Sequence, residues 1–382
     1  AMGWQFYDIA RQTIPLKEAA LQLGYIGLVQ FIPLFALTLI VGWTADRIDR
    51  RWIARATAAL QILCAAILAA FTQAEAMTLG VLFAVAGLLG VARAFSGPAL
   101  GALAPNLVPR EILPNAIALS SIAWQAGMIG GPAIGGYLYA WIPAAAYAAS
   151  AGLFLVSLVA LMLIGPVPRP QLAREQHPIR QMIEGLSYVR TNRLVLGAIT
   201  LDLFAVFLAG ATALLPIYAR DILAVGPEGL AQLGAAPAAG TRTTGRSAPL
   251  HSQVGVKMLA AVVVFGAATI VFGLSRSMPL SLAALFVIGS ADMFLLYVRQ
   301  SLIQLSTPDG MRGRVGAGAQ LTISASNELG DAQSGFLASL IGPIAAVVAG
   351  GIGAVAITLA YAWRFPELRR ARSFDPGPAE SS

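Results

Sequence analysis

Two apolar runs, 19–41 and 53–71, stand on either side of the turn Gly42-Trp-Thr-Ala-Asp46-Arg47-Ile-Asp49-Arg50-Arg51. At about 1.5 Å per helical residue, each run is long enough to cross a hydrocarbon core of about 30 Å. A connection so short makes the two helices antiparallel neighbours. Arg47, Arg50 and Arg51, with Arg55 just beyond, hold the turn on the membrane side that tolerates positive charge. Every later segment can be oriented from it.

That rule has to hold for the whole chain. Hydrophobic residues make up 57% and charged residues 11%, against roughly 25% charged in a soluble domain, so many spans are expected rather than one anchor. The net charge of +7 invites a nucleic-acid reading, and the placement of the charges decides against it. Of the 25 Lys and Arg, nineteen fall in alternate connections and the C-terminal tail: those of 47–55, 169–193, 242–257 and 364–372, with Arg110, Arg312 and Arg314. Four, Arg11, Lys17, Arg220 and Arg276, fall in the opposite set, and Arg93 and Arg299 sit inside apolar segments. This is the asymmetry of a multi-pass protein of the cytoplasmic (inner) membrane in contact with anionic lipid, with no nucleic-acid partner. Cys64 is alone in an apolar helix, and His177 and His251 lie far apart in polar connections. No disulfide, metal set or Ser/His/Asp arrangement can be assembled, so an enzyme is not expected.

The chain divides into an N-terminal bundle over 1–165, a cytoplasmic linker with an amphipathic piece over 166–193, a C-terminal bundle over 194–363 and a disordered tail over 364–382. Residues 1–8, with Trp4, Phe6 and Tyr7, read as the interfacial end of a first helix that is otherwise absent, or as a surface lead-in. The helix at 116–141 carries Gly127-Met-Ile-Gly130-Gly131-Pro132-Ala-Ile-Gly135-Gly136, whose small residues keep one face flat for a close neighbour. Between 229 and 253 the alternation of charge requires a crossing, yet the stretch is weakly apolar and holds Arg242 and Arg246. A disrupted eighth helix is expected there, with a re-entrant or water-lined half-helix as one account.

Charges inside a bilayer are costly, so they mark function by default. Counted from the cytoplasmic ends, Arg299 lies about 6 Å deep, Arg93 and Asp202 about 12 Å, and Asp292, Glu328 and Asp331 about 17, 20 and 24 Å. Glu328 and Asp331 are three residues apart and share a helix face. The six form a candidate proton-coupling or substrate cavity, in which Asp202 and Arg93, at equal depth, can neutralise each other.

The charged turn and the glycine string together resemble the major facilitator superfamily of transporters. The turn is similar to the loop between that family's second and third helices, and the glycine string to the antiporter signature of its fifth. Asp46-Arg47-Ile-Asp49-Arg50-Arg51 is most similar to the branch containing enterobactin exporters and transmembrane secretion effectors. The resemblance implies an all-α polytopic fold of two six-helix bundles and a monomer without bound cofactor. It implies a conformational latch at Asp46 and Arg50, and a fifth helix packing on the eighth through Gly127, Gly131, Pro132, Gly135 and Gly136. The family has an apolar helix where 241–253 is polar, so a local reading-frame slip is the other account of that stretch. The expected function is proton-coupled export of a small organic molecule, such as a siderophore or drug. An uptake symporter of the same fold and an inactive remnant of a damaged gene are the alternatives.

Overall fold

The computed structural model of the chain describes residues 1–37, 40, 44, 48–103, 107–108, 112–165, 187, 189–191, 193–244, 254–307 and 312–366. Those residues hold helices and no strand. The first bundle comprises α1 (Met2–Thr13), α2 (Leu16–Ala36), α3 (Arg50–Gln73), α4 (Leu79–Leu103), α5 (Leu113–Trp141) and α6 (Pro143–Leu163). The second comprises α7 (Arg193–Leu208), α8 (Gly226–Thr244), α9 (Val254–Leu274), α10 (Met278–Ser306), α11 (Arg312–Ile341) and α12 (Pro343–Arg364). A 3₁₀ turn at Ala211–Leu214 and a π turn at Tyr218–Ile222 extend α7.

Eight of the described helices are long and apolar enough to cross a membrane. Prolines start α6 and α12 at their first position, where no N–H is needed. Asp49 caps α3 by accepting the Arg51 N–H at 3.0 Å. The outside of the assembly is apolar, with Trp124 73% and Leu163 82% exposed. Such a surface suits lipid and not water.

Two segments that the sequence marks as irregular can be followed in part. Residues 2–13 are helical, with Phe6, Tyr7 and Ala10 fully buried, so this segment is core and not a surface lead-in. The eighth helix is formed over Gly226–Thr244; the rest of the polar stretch, 245–253, lies outside the described residues. Its small residues explain how a weakly apolar helix is held. Gly289 of α10 lies against the Pro237 carbonyl, and Ser290 donates to the Gly240 carbonyl at 3.0 Å. Packed on α10 and α5, α8 needs less apolar surface of its own than a lipid-facing helix. Nearly all of the 166–193 linker, and the tail beyond 366, lie outside the described residues.

Within the first bundle α3 packs on α4 and α6, and α2 on α4; within the second α8 packs on α10, α9 on α10 and α12, and α7 on α11 and α12. The bundles meet where α2 lies along α11 and α5 along α8. Call the side of the 42–51 turn inner. At the outer end one hydrophobic core runs through both bundles, including Phe6, Leu82, Tyr218, Phe272 and Leu285. Toward the inner end it gives way to separate clusters, one with Ala54, Ala58, Leu103 and Leu161, the other with Leu201, Met258, Leu295 and Val298. Among the described residues, the buried cluster that joins the halves lies toward the outer end.

Candidate functional site

The seam between the bundles is set by how closely their backbones approach. A Cβ added to Gly24 would lie 2.9 Å from the Gly335 Cα, and one at Gly27 would lie 2.8 Å from the Glu328 carbonyl oxygen and 3.0 Å from the Asp331 Cβ. Only glycine allows α2 and α11 to touch this way. The contact brings Glu328 and Asp331 to the seam between the halves.

Across that seam Arg93 of α4 donates from Nη1 to Oε1 of Glu328 at 2.6 Å. The arginine side chain is 60% exposed and the glutamate 14%. This ion pair joins the two bundles at mid-depth, with Asp331 one turn further along α11. Asp292 of α10 is exposed and has no described ionic partner.

Asp202 pairs elsewhere. Depth alone matched it with Arg93; in the structure it lies against Arg299, within the second bundle and between α7 and α10. Both side chains are almost fully buried, at 4% and 3% exposed. Depth gives height along a helix and says nothing of which faces meet, so adjacency of α7 and α10 decided the pairing. The six candidate charges therefore separate into a closed pair, a cross-bundle pair, Asp331 beside the latter, and Asp292.

The glycine string is divided as well. Gly136 lies against Ala231 of α8, and a Cβ on Gly234 would reach the Pro132 Cβ at 3.3 Å. Among the described residues nothing lies within 4 Å of a Cβ placed on Gly127, Gly131 or Gly135. The fifth helix runs along the eighth, and the described contacts of the string lie at its outer end.

At the inner turn Asp46 lies outside the described residues, and Arg50 opens α3. The next arginines hold the end of α6. Arg51 pairs with Asp49 at 2.6 Å and donates to the Ile164 carbonyl at 3.3 Å. Arg55 donates to the carbonyls of Leu161 at 3.0 Å and Ile164 at 3.2 Å. Cations here satisfy orphan carbonyls and complement the negative end of a helix. The sequence offered no sign that these arginines clamp α3 to α6.

Sequence reasoning also passed over a charged group at the outer end: Tyr7, Asp8 and Arg11 of α1 with Arg220 and Asp221 of the π turn. The available signal was that Arg11 and Arg220 are two of the few basic residues on the outer side. Among the described residues no three His, Cys, Asp or Glu are grouped so as to hold a metal.

The family described as Major Facilitator Superfamily matches residues 6–330 of the chain. The chain is 28% identical over 285 residues to the enterobactin exporter EntS of Citrobacter koseri, covering 73% of this chain and 68% of that protein. It is likewise 28% identical over 287 residues to EntS of Escherichia coli O157:H7, covering 73% and 67%. Among solved structures it is similar to a D-xylose-proton symporter, with a TM-score of 0.71 at 14% identity over 94% of this chain and 90% of that one. It is also similar to a bacterial homologue of the iron transporter ferroportin in an inward-facing state, with a TM-score of 0.66 at 19% identity over 97% and 95%.

Proposed function

The chain belongs to the major facilitator superfamily, and on that premise we propose that it is a monomeric, proton-coupled exporter of a small organic molecule in the inner membrane. The two bundles rock about their seam and expose the cleft to one side at a time. Export is the direction suggested by the relatives named enterobactin exporter, and a siderophore or drug is the substrate class that follows from them. The residues proposed to carry coupling are Glu328 and Asp331, with Arg93 as the cation that Glu328 meets. Asp292 has a secondary place, and Asp202 with Arg299 supports the fold of the cleft wall.

The observation that carries this reading is the Arg93–Glu328 pair, because it spans the two bundles and is partly open to the cleft. A proton arriving on Glu328 removes the charge that holds Arg93 and loosens the bundles there. Re-forming the pair expels the proton. Charge movement is thereby tied to bundle movement, as coupling requires. Asp46 and Arg50 are proposed as a latch on the inner side.

The test is flux in proteoliposomes with and without an imposed proton gradient, using an enterobactin-type siderophore and a panel of drugs. The Glu328→Gln/Asp331→Asn double variant keeps size and hydrogen bonding but cannot titrate, so it should bind substrate and lose the gradient-driven component. Full gradient-driven flux in that variant defeats the assignment. Inverted vesicles set the direction: accumulation driven by an acid interior supports export, and efflux from them under that gradient supports an uptake symporter.

A further inference from the structure

Two arginines at the inner end of the first bundle hold the end of α6, and they differ in one respect. Arg51 engages all three guanidinium nitrogens, Nε and Nη2 with the Asp49 carboxylate and Nη1 with the Ile164 carbonyl. Arg55 meets carbonyl oxygens only, those of Leu161, Met162 and Ile164, through Nε and Nη2. Among the described residues no carboxylate pairs with Arg55, and its Nη1 meets no acceptor. The carbonyls of a helix end complement a cation but carry only a partial charge. Nor does the nearby sequence supply the rest. Residues 42–55 hold four arginines against two aspartates, and residues 143–174 hold no acid.

The place of Arg55 in the fold says from which side an anion can arrive. The seam between the bundles is made by α2 with α11 and by α5 with α8, whereas α3 packs on α4 and α6. The corner between the start of α3 and the end of α6 therefore faces the bilayer. Its flank is apolar, with Leu163 82% and Met162 54% exposed. Trp52 is 59% exposed, and the Arg55 guanidinium carbon lies 5.1 Å from the centre of its ring. An exposed tryptophan with an arginine on its face suits the level where hydrocarbon gives way to headgroups.

We propose that Arg55, seated on Trp52, binds the phosphate of an anionic phospholipid of the inner leaflet, whose acyl chains lie along the end of α6.

The planar guanidinium fork matches phosphate oxygens, and the two N–H groups of Nη1 remain to meet them. The surplus of positive charge decides the class of lipid. A zwitterionic headgroup would bring its own cation beside Arg51 and Arg55, whereas an anionic one adds none. The exposed side chains of Met162 and Leu163 supply the apolar surface that a lipid has chains to cover and a free phosphate does not. Bound there, the lipid supplies the counter-charge that Arg55 lacks and bridges α3 to α6.

Native mass spectrometry of the full chain, released from mixed micelles of phosphatidylglycerol and phosphatidylcholine, reads the ratio in which the two lipids are retained. The parent protein should retain phosphatidylglycerol in preference. Arg55→Gln should lower that preference about fivefold, the effect of one arginine at an anionic surface. Arg364→Gln removes the same charge from the last turn of α12, in the other bundle, and should leave the preference nearly unchanged. A parent that retains both lipids alike overturns the site, as does an Arg55→Gln protein with the parent's preference. Equal losses in the two variants overturn it too, since the general charge of the inner face would then be the attraction. If Arg55→Gln is not recovered folded, Trp52→Ala leaves the carbonyl bonds in place and should lower the preference about twofold. An unchanged ratio in Trp52→Ala then overturns the proposal. No transported molecule or gradient enters this measurement, so its outcome is separate from that of coupled flux.

Discussion

Arg299–Asp202 and Arg93–Glu328 are both arginine–carboxylate pairs set among membrane helices, yet their surroundings give them opposite characters. The first lies inside one bundle, with both side chains under 5% exposed. The second crosses between bundles, with its arginine 60% exposed. Bundle movement leaves the first intact and must break or remake the second. A charge in a span is therefore not enough to mark coupling. What matters is whether its partner rides on the same rigid body.

Removing one member of each pair tests this contrast most directly. Asp202→Asn leaves a guanidinium buried with no counter-charge, and breaking such a pair costs about 3–5 kcal/mol. Loss of folded, monodisperse protein on detergent size exclusion is the expected outcome. A stable Asp202→Asn chain would mean that the closed pair is as dispensable as an exposed one. The packed and open parts of the glycine string offer the same contrast without charge. Gly136→Leu drives a side chain into Ala231 and should cost about 1–3 kcal/mol. Gly131→Leu enters open space and should leave the unfolding midpoint nearly unchanged while blocking closure of the inner cleft, so flux falls and stability does not. Equal destabilisation of the two would show that the string packs along its whole length.

Arg93→Gln should cost no more than about 1 kcal/mol, because its charge is largely exposed, yet it should remove gradient-driven flux. Thermal unfolding read beside flux separates the two effects. A large stability loss with normal flux would make the cross-bundle pair structural. The smallest effect belongs to Asp292→Asn, which alters an exposed carboxylate and should change stability by less than about 0.5 kcal/mol. A flux defect there, with stability kept, would bring Asp292 into the coupling set.

Much of this was legible because span length and charge alternation are local properties. The spans on either side of the 42–51 turn and the presence of Arg93, Arg299, Asp202, Glu328 and Asp331 inside helices need no tertiary knowledge. Pairing does need it. Arg93 and Asp202 share a depth, but α7 lies against α10, so the partner is Arg299. The weak apolarity of the eighth helix, whose place the charge alternation marks, has a related reason. Hydropathy measures the wish of a segment for lipid, whereas α8 is held by α5 and α10 through glycine, alanine and serine contacts. The outer group was hidden by sequence distance, since Arg11 and Asp221 are 210 residues apart.

The seam of Gly24, Gly27 and Gly335 has a mechanical consequence. Glycine has no side-chain rotamers to freeze or free, whereas a long side chain loses up to about 2 kcal/mol of rotamer freedom when ordered. Two backbones that rest directly on each other can tilt without unlocking a set of interdigitated side chains. If the bundles rock as proposed, the contact works as a low-friction bearing, and the speed of that movement is set elsewhere in the molecule.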